Sequence, residues 1–203
     1  MVHPFFIQNI PRWGIFVFKA GRYAGGMELL PSLKIGSLII ALARHAAKDS
    51  MSALISELAV RGEVTVLDGG NRFSAYQVAG MIRRKTVHVE SAARRLFIRR
   101  AFTCYQMVSL LEDTPAIPTQ PYLILDLLAT FYDDQVQPHE AERLLNICLQ
   151  QIERLRFTSP IAISLAPPLL PERTFLVEQV CRNADQVFTL EIQPQAEQLA
   201  LFK

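Results

Sequence analysis

Short apolar runs, of the kind a strand covered on both faces requires, alternate along this chain with segments whose apolar positions recur at helical spacing. The run Ser37-Leu-Ile-Ile-Ala-Leu-Ala43 predicts a first core strand, and Met51, Leu54, Ile55 and Leu58 then repeat as one helical stripe. Val64-Thr-Val-Leu-Asp68 predicts a second strand, closed by Gly69-Gly70. Ser74 and Gln77 have capping-box spacing for a helix reaching about Arg84. Leu96-Phe-Ile98 reads as a short strand between arginines, and Thr103 and Gln106 cap the helix carrying Met107, Leu110 and Leu111. Pro115, Pro118 and Pro121 make a stiff connection to Tyr122-Leu-Ile-Leu-Asp-Leu-Leu128, which reads as the centre of the sheet. Pro138 opens a long helix with the stripe Ala141, Leu144, Leu145, Cys148, Ile152 and Leu155. Strand 161–165, a helix over about 172–183 and strand 187–192 complete the alternation. The pattern predicts an α/β fold with a mostly parallel sheet and helices on both faces, a three-layer arrangement.

The two ends differ in texture. Residues 1–30 are aromatic- and glycine-rich around Trp13-Gly-Ile-Phe-Val-Phe18 and read as an edge hairpin, residues 31–192 as the core domain, and residues 193–203 as a mobile tail. At 203 residues, half of them hydrophobic and 20% charged, the chain can bury one core but is short for two domains. The longest apolar run, 37–43, is far below the roughly 18 residues of a membrane span, so no membrane role is expected. Three scattered cysteines, Cys104, Cys148 and Cys181, suit a reducing cytoplasm and give neither a disulfide framework nor a zinc knuckle.

The net charge of +2 is unevenly spread. Arg72, Arg83, Arg84, Lys85, Arg94, Arg95, Arg99 and Arg100 stand against Glu90 alone, a local +7 that leaves −5 for the remainder. Such asymmetry is the footprint of nucleic-acid contact or of an acidic partner. DNA contact is therefore expected at Arg83, Arg84, Lys85, Arg94, Arg95, Arg99 and Arg100. The competing reading is a set of solvated helix ends complementing helix dipoles.

Functional groups of a parallel sheet gather where its strands end. Those positions hold Ala43-Arg-His-Ala-Ala-Lys48-Asp-Ser50, then Asp68-Gly-Gly-Asn-Arg-Phe73, then Asp126 with Asp133 and Asp134 beyond it. Over residues 30–192 this layout resembles the RecA/RadA recombinase-like domain of the P-loop ATPases. Leu33-Lys-Ile-Gly-Ser-Leu-Ile-Ile is similar to that family's approach to its first core strand, and Val66-Leu-Asp68 followed by Phe73 to its Asp-x-Glu-x-x-Phe. Arg99-Arg-Ala-Phe-Thr-Cys-Tyr-Gln106 is similar to its Arg-Ala-Phe segment, and Leu123-Ile-Leu-Asp126 to its Walker B strand.

The departures from that family bear on chemistry. A phosphate loop needs glycines so that backbone N–H groups can wrap the phosphates. With Lys48 aligned to the family's lysine, Ala43 and Ala47 stand at the glycine positions, Asp49 stands at the hydroxyl position, and the loop is one residue short. The catalytic glutamate falls on Gly70, and Ala166-Pro167 replaces the sensor glutamine. The resemblance therefore implies a degenerate site with no catalytic residues, no cofactor and no metal. The alternative is an ATPase with an unorthodox loop that binds ATP and magnesium through Lys48, Ser50 and Asp126. Read without the family, Lys48 is a solvated residue at a helix start, Asp126 a strand-end carboxylate bonding nearby groups, and Asp133-Asp134 a solvated turn. Filament formation is not supported, because the chain has no Phe-x-x-Ala element.

Gln198-Leu-Ala-Leu-Phe202 resembles the Q-L-x-L-F peptide by which bacterial polymerases and repair proteins bind the replicative sliding clamp. At average composition its four specified residues coincide by chance roughly once in 10⁵ positions. Gln198, Leu199, Leu201 and Phe202 would be the clamp contacts, apolar side chains filling a preformed pocket while the amide makes fixed hydrogen bonds. The competing reading is an amphipathic end folded onto the core. Together these features are similar to the ImuA-type accessory proteins of translesion repair and the SulA-type division inhibitors. That likeness implies a cytoplasmic, nucleoid-associated protein serving a repair polymerase or RecA.

Overall fold

The computed structural model describes residues 32–189 and the strand Val17–Lys19. Seven parallel strands form one sheet in the order β1-β7-β2-β6-β5-β3-β4. They are β1 (Val17–Lys19), β2 (Leu38–Leu42), β3 (Val64–Asp68), β4 (Leu96–Arg100), β5 (Tyr122–Leu125), β6 (Ile161–Leu165) and β7 (Gln186–Thr189). Helices α1 (Lys48–Arg61), α2 (Ala75–Arg83) and α3 (Val89–Ala93) cover one face. Helices α4 (Cys104–Glu112), α5 (Pro138–Arg156) and α6 (Thr174–Arg182) cover the other. This is the three-layer α/β arrangement that the sequence alternation predicts.

Strand composition explains the layering. Every residue of β2, β3, β5 and β6 is buried, so alternate side chains feed two separate apolar clusters. Ile39, Val64, Val66 and Leu123 meet Met51, Leu54, Ile55, Val78 and Ile82, whereas Leu38, Ile40, Leu67 and Ile163 meet Met107, Leu144, Leu145, Cys148 and Ile152. The caps read from sequence form: Ser74 Oγ accepts from the Gln77 N–H at 3.3 Å, and Thr103 Oγ1 from the Gln106 N–H at 3.1 Å. Gln106 Oε1 in turn accepts from the Phe102 N–H at 2.8 Å. Among the described residues no helix is long and apolar enough to cross a membrane.

Three elements differ from expectation. The run 122–128 ends as a strand at Leu125, because Asp126 turns into the left-handed region at φ 50° and leads to the 3-10 turn Ala129–Tyr132. The middle strand of the seven is β6, with β5 beside it. The last helix starts as the 3-10 turn Pro171–Arg173, where the buried Arg173 donates to the carbonyls of Phe131, Asp133 and Val136. Of the expected edge hairpin, only Val17–Lys19 is described, an edge strand parallel to β7; its other arm, residues 190–192 and the tail 193–203 lie outside the described residues.

Candidate functional site

The carboxyl ends of β3, β4 and β5 carry a compact group of two carboxylates and two guanidiniums. Asp68 and Asp126 are 0% and 1% exposed, ends of adjacent strands whose register pairs Asp68 with Leu125. Asp68 Oδ1 accepts from the Arg72 N–H at 2.8 Å, and its Oδ2 accepts from the Phe73 N–H and from Arg100 Nε, each at 3.0 Å. Arg72, whose backbone is fixed by Asp68, reaches across and donates from Nε to Asp126 Oδ2 at 2.7 Å. Asp126 Oδ1 accepts from the Ala166 N–H at 3.3 Å, and the Asp126 N–H donates to Ser164 Oγ at 2.9 Å. Burial of the two carboxylates is tolerable because each is both ion-paired and hydrogen-bonded.

Gly69-Gly70 permits this packing. A Cβ on Gly70 would lie 2.5 Å from Asp126 Cβ and 2.6 Å from its Oδ2, and one on Gly69 would lie 2.7 Å from Met107 Cε and 3.1 Å from the Asp126 carbonyl. The glycines read from sequence as a strand stop are therefore points of close approach. Beyond Asp126, the Tyr132 hydroxyl donates to the Ala166 carbonyl at 2.9 Å. Burial, reinforced by the Asp126 charge, pushes that phenol upward.

The segment after β2 has a different geometry. Ala46 and Ala47 both adopt left-handed φ values, 50° and 48°, conformations that glycine takes without strain. The Ala46 N–H donates to the Ala43 carbonyl at 2.9 Å and the Lys48 N–H to the His45 carbonyl at 3.3 Å, so two amides of this loop are satisfied within it. Lys48 is exposed at the first position of α1. Asp49 accepts from Gln77 Nε2 at 2.7 Å, which ties α1 to α2, and Ser50 is buried. Asp133 and Asp134 are exposed, and Asp133 Oδ1 accepts from the Gln135 N–H at 2.9 Å, a local turn. Among the described residues no group of histidine, cysteine and carboxylate side chains could hold a metal. Cys104 is a buried helix residue whose thiol is pushed up by burial.

The basic stretch is divided between the two ends of the sheet. Arg83 ends α2, with Arg84 and Lys85 directly after it, and Arg94 and Arg95 precede β4, so all five lie toward the amino edge. Arg99 and Arg100 lie at the opposite edge, a strand of five residues or roughly 13 Å away. Several of the amino-edge cations have local duties. Lys85 pairs with Glu57 at 2.6 Å, Arg94 with Glu90 at 2.5 Å, and Arg95 Nη1 donates to the Ala59 and Val60 carbonyls that end α1. Arg99 stands 3.8 Å from Asp113. Arg83 and Arg84 are exposed and have no ion pair among the described residues.

Strand-end position picks out Asp126, and the basic stretch contains Arg72 and Arg100, but neither pattern joins them. The signal that joins them is positional: Arg100 and Asp68 both close adjacent strands, and Arg72 lies in the turn that Asp68 caps. Gln198, Leu199, Leu201 and Phe202 lie outside the described residues. No protein-family model matches the chain, and no curated protein matches it significantly.

Proposed function

We propose that this protein is a non-catalytic RecA-like accessory factor of bacterial DNA repair, recombination or translesion synthesis, tethered to the replicative sliding clamp. The observation that carries the reading is the pentapeptide Gln198-Leu-Ala-Leu-Phe202. Leu201 and Phe202 are its apolar anchors and Gln198 its hydrogen-bonding group, an arrangement suited to docking as a short extended segment. Burying two such side chains contributes roughly 3 to 6 kcal/mol before ordering costs, so the peptide alone binds at micromolar levels and gains from a second contact. Contact with DNA through the basic stretch would supply that second contact.

The Arg72–Asp126 ion pair supports a role without nucleotide chemistry. Both oxygens of Asp126 are engaged, one by a guanidinium and one by the Ala166 amide, which leaves the carboxylate poorly placed to serve magnesium. The opposing reading is an ATPase that uses Lys48, Ser50 and Asp126.

Capture on immobilised sliding clamp tests the proposal. The full chain is retained, and the chain lacking Leu201 and Phe202 is lost from the resin with unchanged melting temperature. A melting temperature lowered by several degrees, with no clamp capture of the full chain, overturns the reading and assigns these residues to the core. Calorimetry with ATP and magnesium shows no micromolar binding; tight binding abolished in Lys48→Ala would establish the ATPase instead.

A further inference from the structure

Arg72 and Arg100 are held in an unusual way. Each donates to a buried carboxylate through Nε, and the Nη groups of neither make a hydrogen bond among the described residues. Their side chains are 35% and 34% exposed, so each is fixed at Nε on a buried carboxylate and still partly open to solvent. A guanidinium bound at Nε still presents two parallel N–H donors from Nη1 and Nη2, the geometry that fits two oxygens of one phosphate. Because Asp68 and Asp126 already fix both forks, little side-chain entropy remains to be lost on binding.

The surroundings define the ligand more narrowly. Tyr76, four residues after Arg72, is 87% exposed, and Phe102, two residues after Arg100, is 69% exposed. Phe102 is held by the Gln106 bond to its backbone. Exposed aromatic faces beside cationic groups are the elements on which nucleobases stack. The two aspartates offset the two arginines, and Arg44 and Lys48, exposed after β2, are further cations of this edge beside the exposed carboxylates of Asp49, Asp133 and Asp134. β2 and β4 are four strand positions apart, about 19 Å, a span that several consecutive nucleotides cover.

We propose that Arg72 and Arg100 form a clamp for a nucleotide phosphate, free or within a single nucleic-acid strand, with Tyr76 and Phe102 as stacking faces. It rests on the nucleic-acid part of the function proposed above, and it places the contact at the carboxyl edge of the sheet instead of along the whole basic stretch.

The test measures anisotropy of a labelled short oligothymidylate with the full chain, with inorganic phosphate and thymidine 5′-monophosphate as competitors. Arg72 and Arg100 are removed together with their buried partners, as R72Q/D126N and R100Q/D68N, so that no unpaired carboxylate remains. Each double variant weakens binding roughly tenfold and lowers its salt dependence, whereas R83E/R84E at the amino edge changes affinity less than about twofold. Competition by the mononucleotide at equal phosphate concentration identifies a free-nucleotide site, and its absence identifies a strand site. Arginine modification by phenylglyoxal, read by mass spectrometry on the unaltered protein, covers the case in which a double variant does not fold: the ligand protects Arg72 and Arg100. Absence of binding by the unaltered protein, double variants that both bind as tightly as the unaltered protein, or protection of Arg83 and Arg84 in place of Arg72 and Arg100 overturns the clamp. Capture on the sliding clamp is read separately, so failure of one proposal is distinguishable from failure of the other.

Discussion

The carboxyl and amino edges of this sheet draw cations from the same basic stretch and use them in opposite ways. At the carboxyl edge Arg72 and Arg100 lie on carboxylates that water cannot reach. At the amino edge Arg94 pairs with a Glu90 side chain that is 80% exposed, and Arg95 is bound to carbonyls at the end of α1. Charge in the sequence is the same in both places, but the cost of losing it is not. An exposed pair is replaced by water, whereas a buried carboxylate stripped of its cation has no substitute.

The largest effect that would break this contrast is at Asp126. Arg72→Ala leaves a buried carboxylate with the Ala166 amide and no cation, which costs about 3 kcal/mol in denaturant unfolding, while R72Q/D126N recovers most of that loss. Equal stability of R72A and the unaltered protein would mean that the two edges are energetically alike. Gly70→Ala comes next. The added methyl must displace the Asp126 side chain rather than a flexible tip, and chemical denaturation should register a loss of about 2 kcal/mol.

Smaller changes sharpen the amino edge. Arg95→Ala removes the donors to two carbonyls at the end of α1, at a cost of about 1 kcal/mol, whereas Arg94→Ala stays within about 0.5 kcal/mol. The smallest effect is one of pH. Hydrogen bonds from Lys85 and Arg61 hold the Glu57 carboxyl below its ordinary value of 4.5. Its contribution is therefore complete above that pH and is lost as pH falls through the lowered folded value. Glu57→Gln flattens the acid limb of the stability–pH curve below the ordinary carboxyl value of 4.5, and an unchanged limb would show that this pair adds nothing.

The layers of this fold were legible because buried parallel strands are written as apolar runs, as in 64–68 and 161–165, whose predicted limits coincide with β3 and β6. The end of β5 was not. Leu127 and Leu128 are as buried as the strand before them, so hydrophobicity continues past the point where Asp126 turns the backbone. The site was half legible for a related reason. A rule that looks at strand ends finds Asp68 and Asp126, but the pairing of Arg72 with the second and not the first depends on a turn whose direction no periodicity records. The charge asymmetry was visible, yet a linear count merges cations that β4 then carries to opposite edges.

Gly70 also limits what this edge can acquire. A glutamate introduced there would have to share space with Asp126, and moving Asp126 would release Arg72 from its partner and disturb the turn that Asp68 caps. A carboxylate added at position 70 therefore meets Asp126 first and, through it, Arg72. Such a change carries either a steric clash or an orphaned charge, each a loss of stability. The close approach of one glycine to one aspartate thus couples three positions, so that a change at one is felt at the other two.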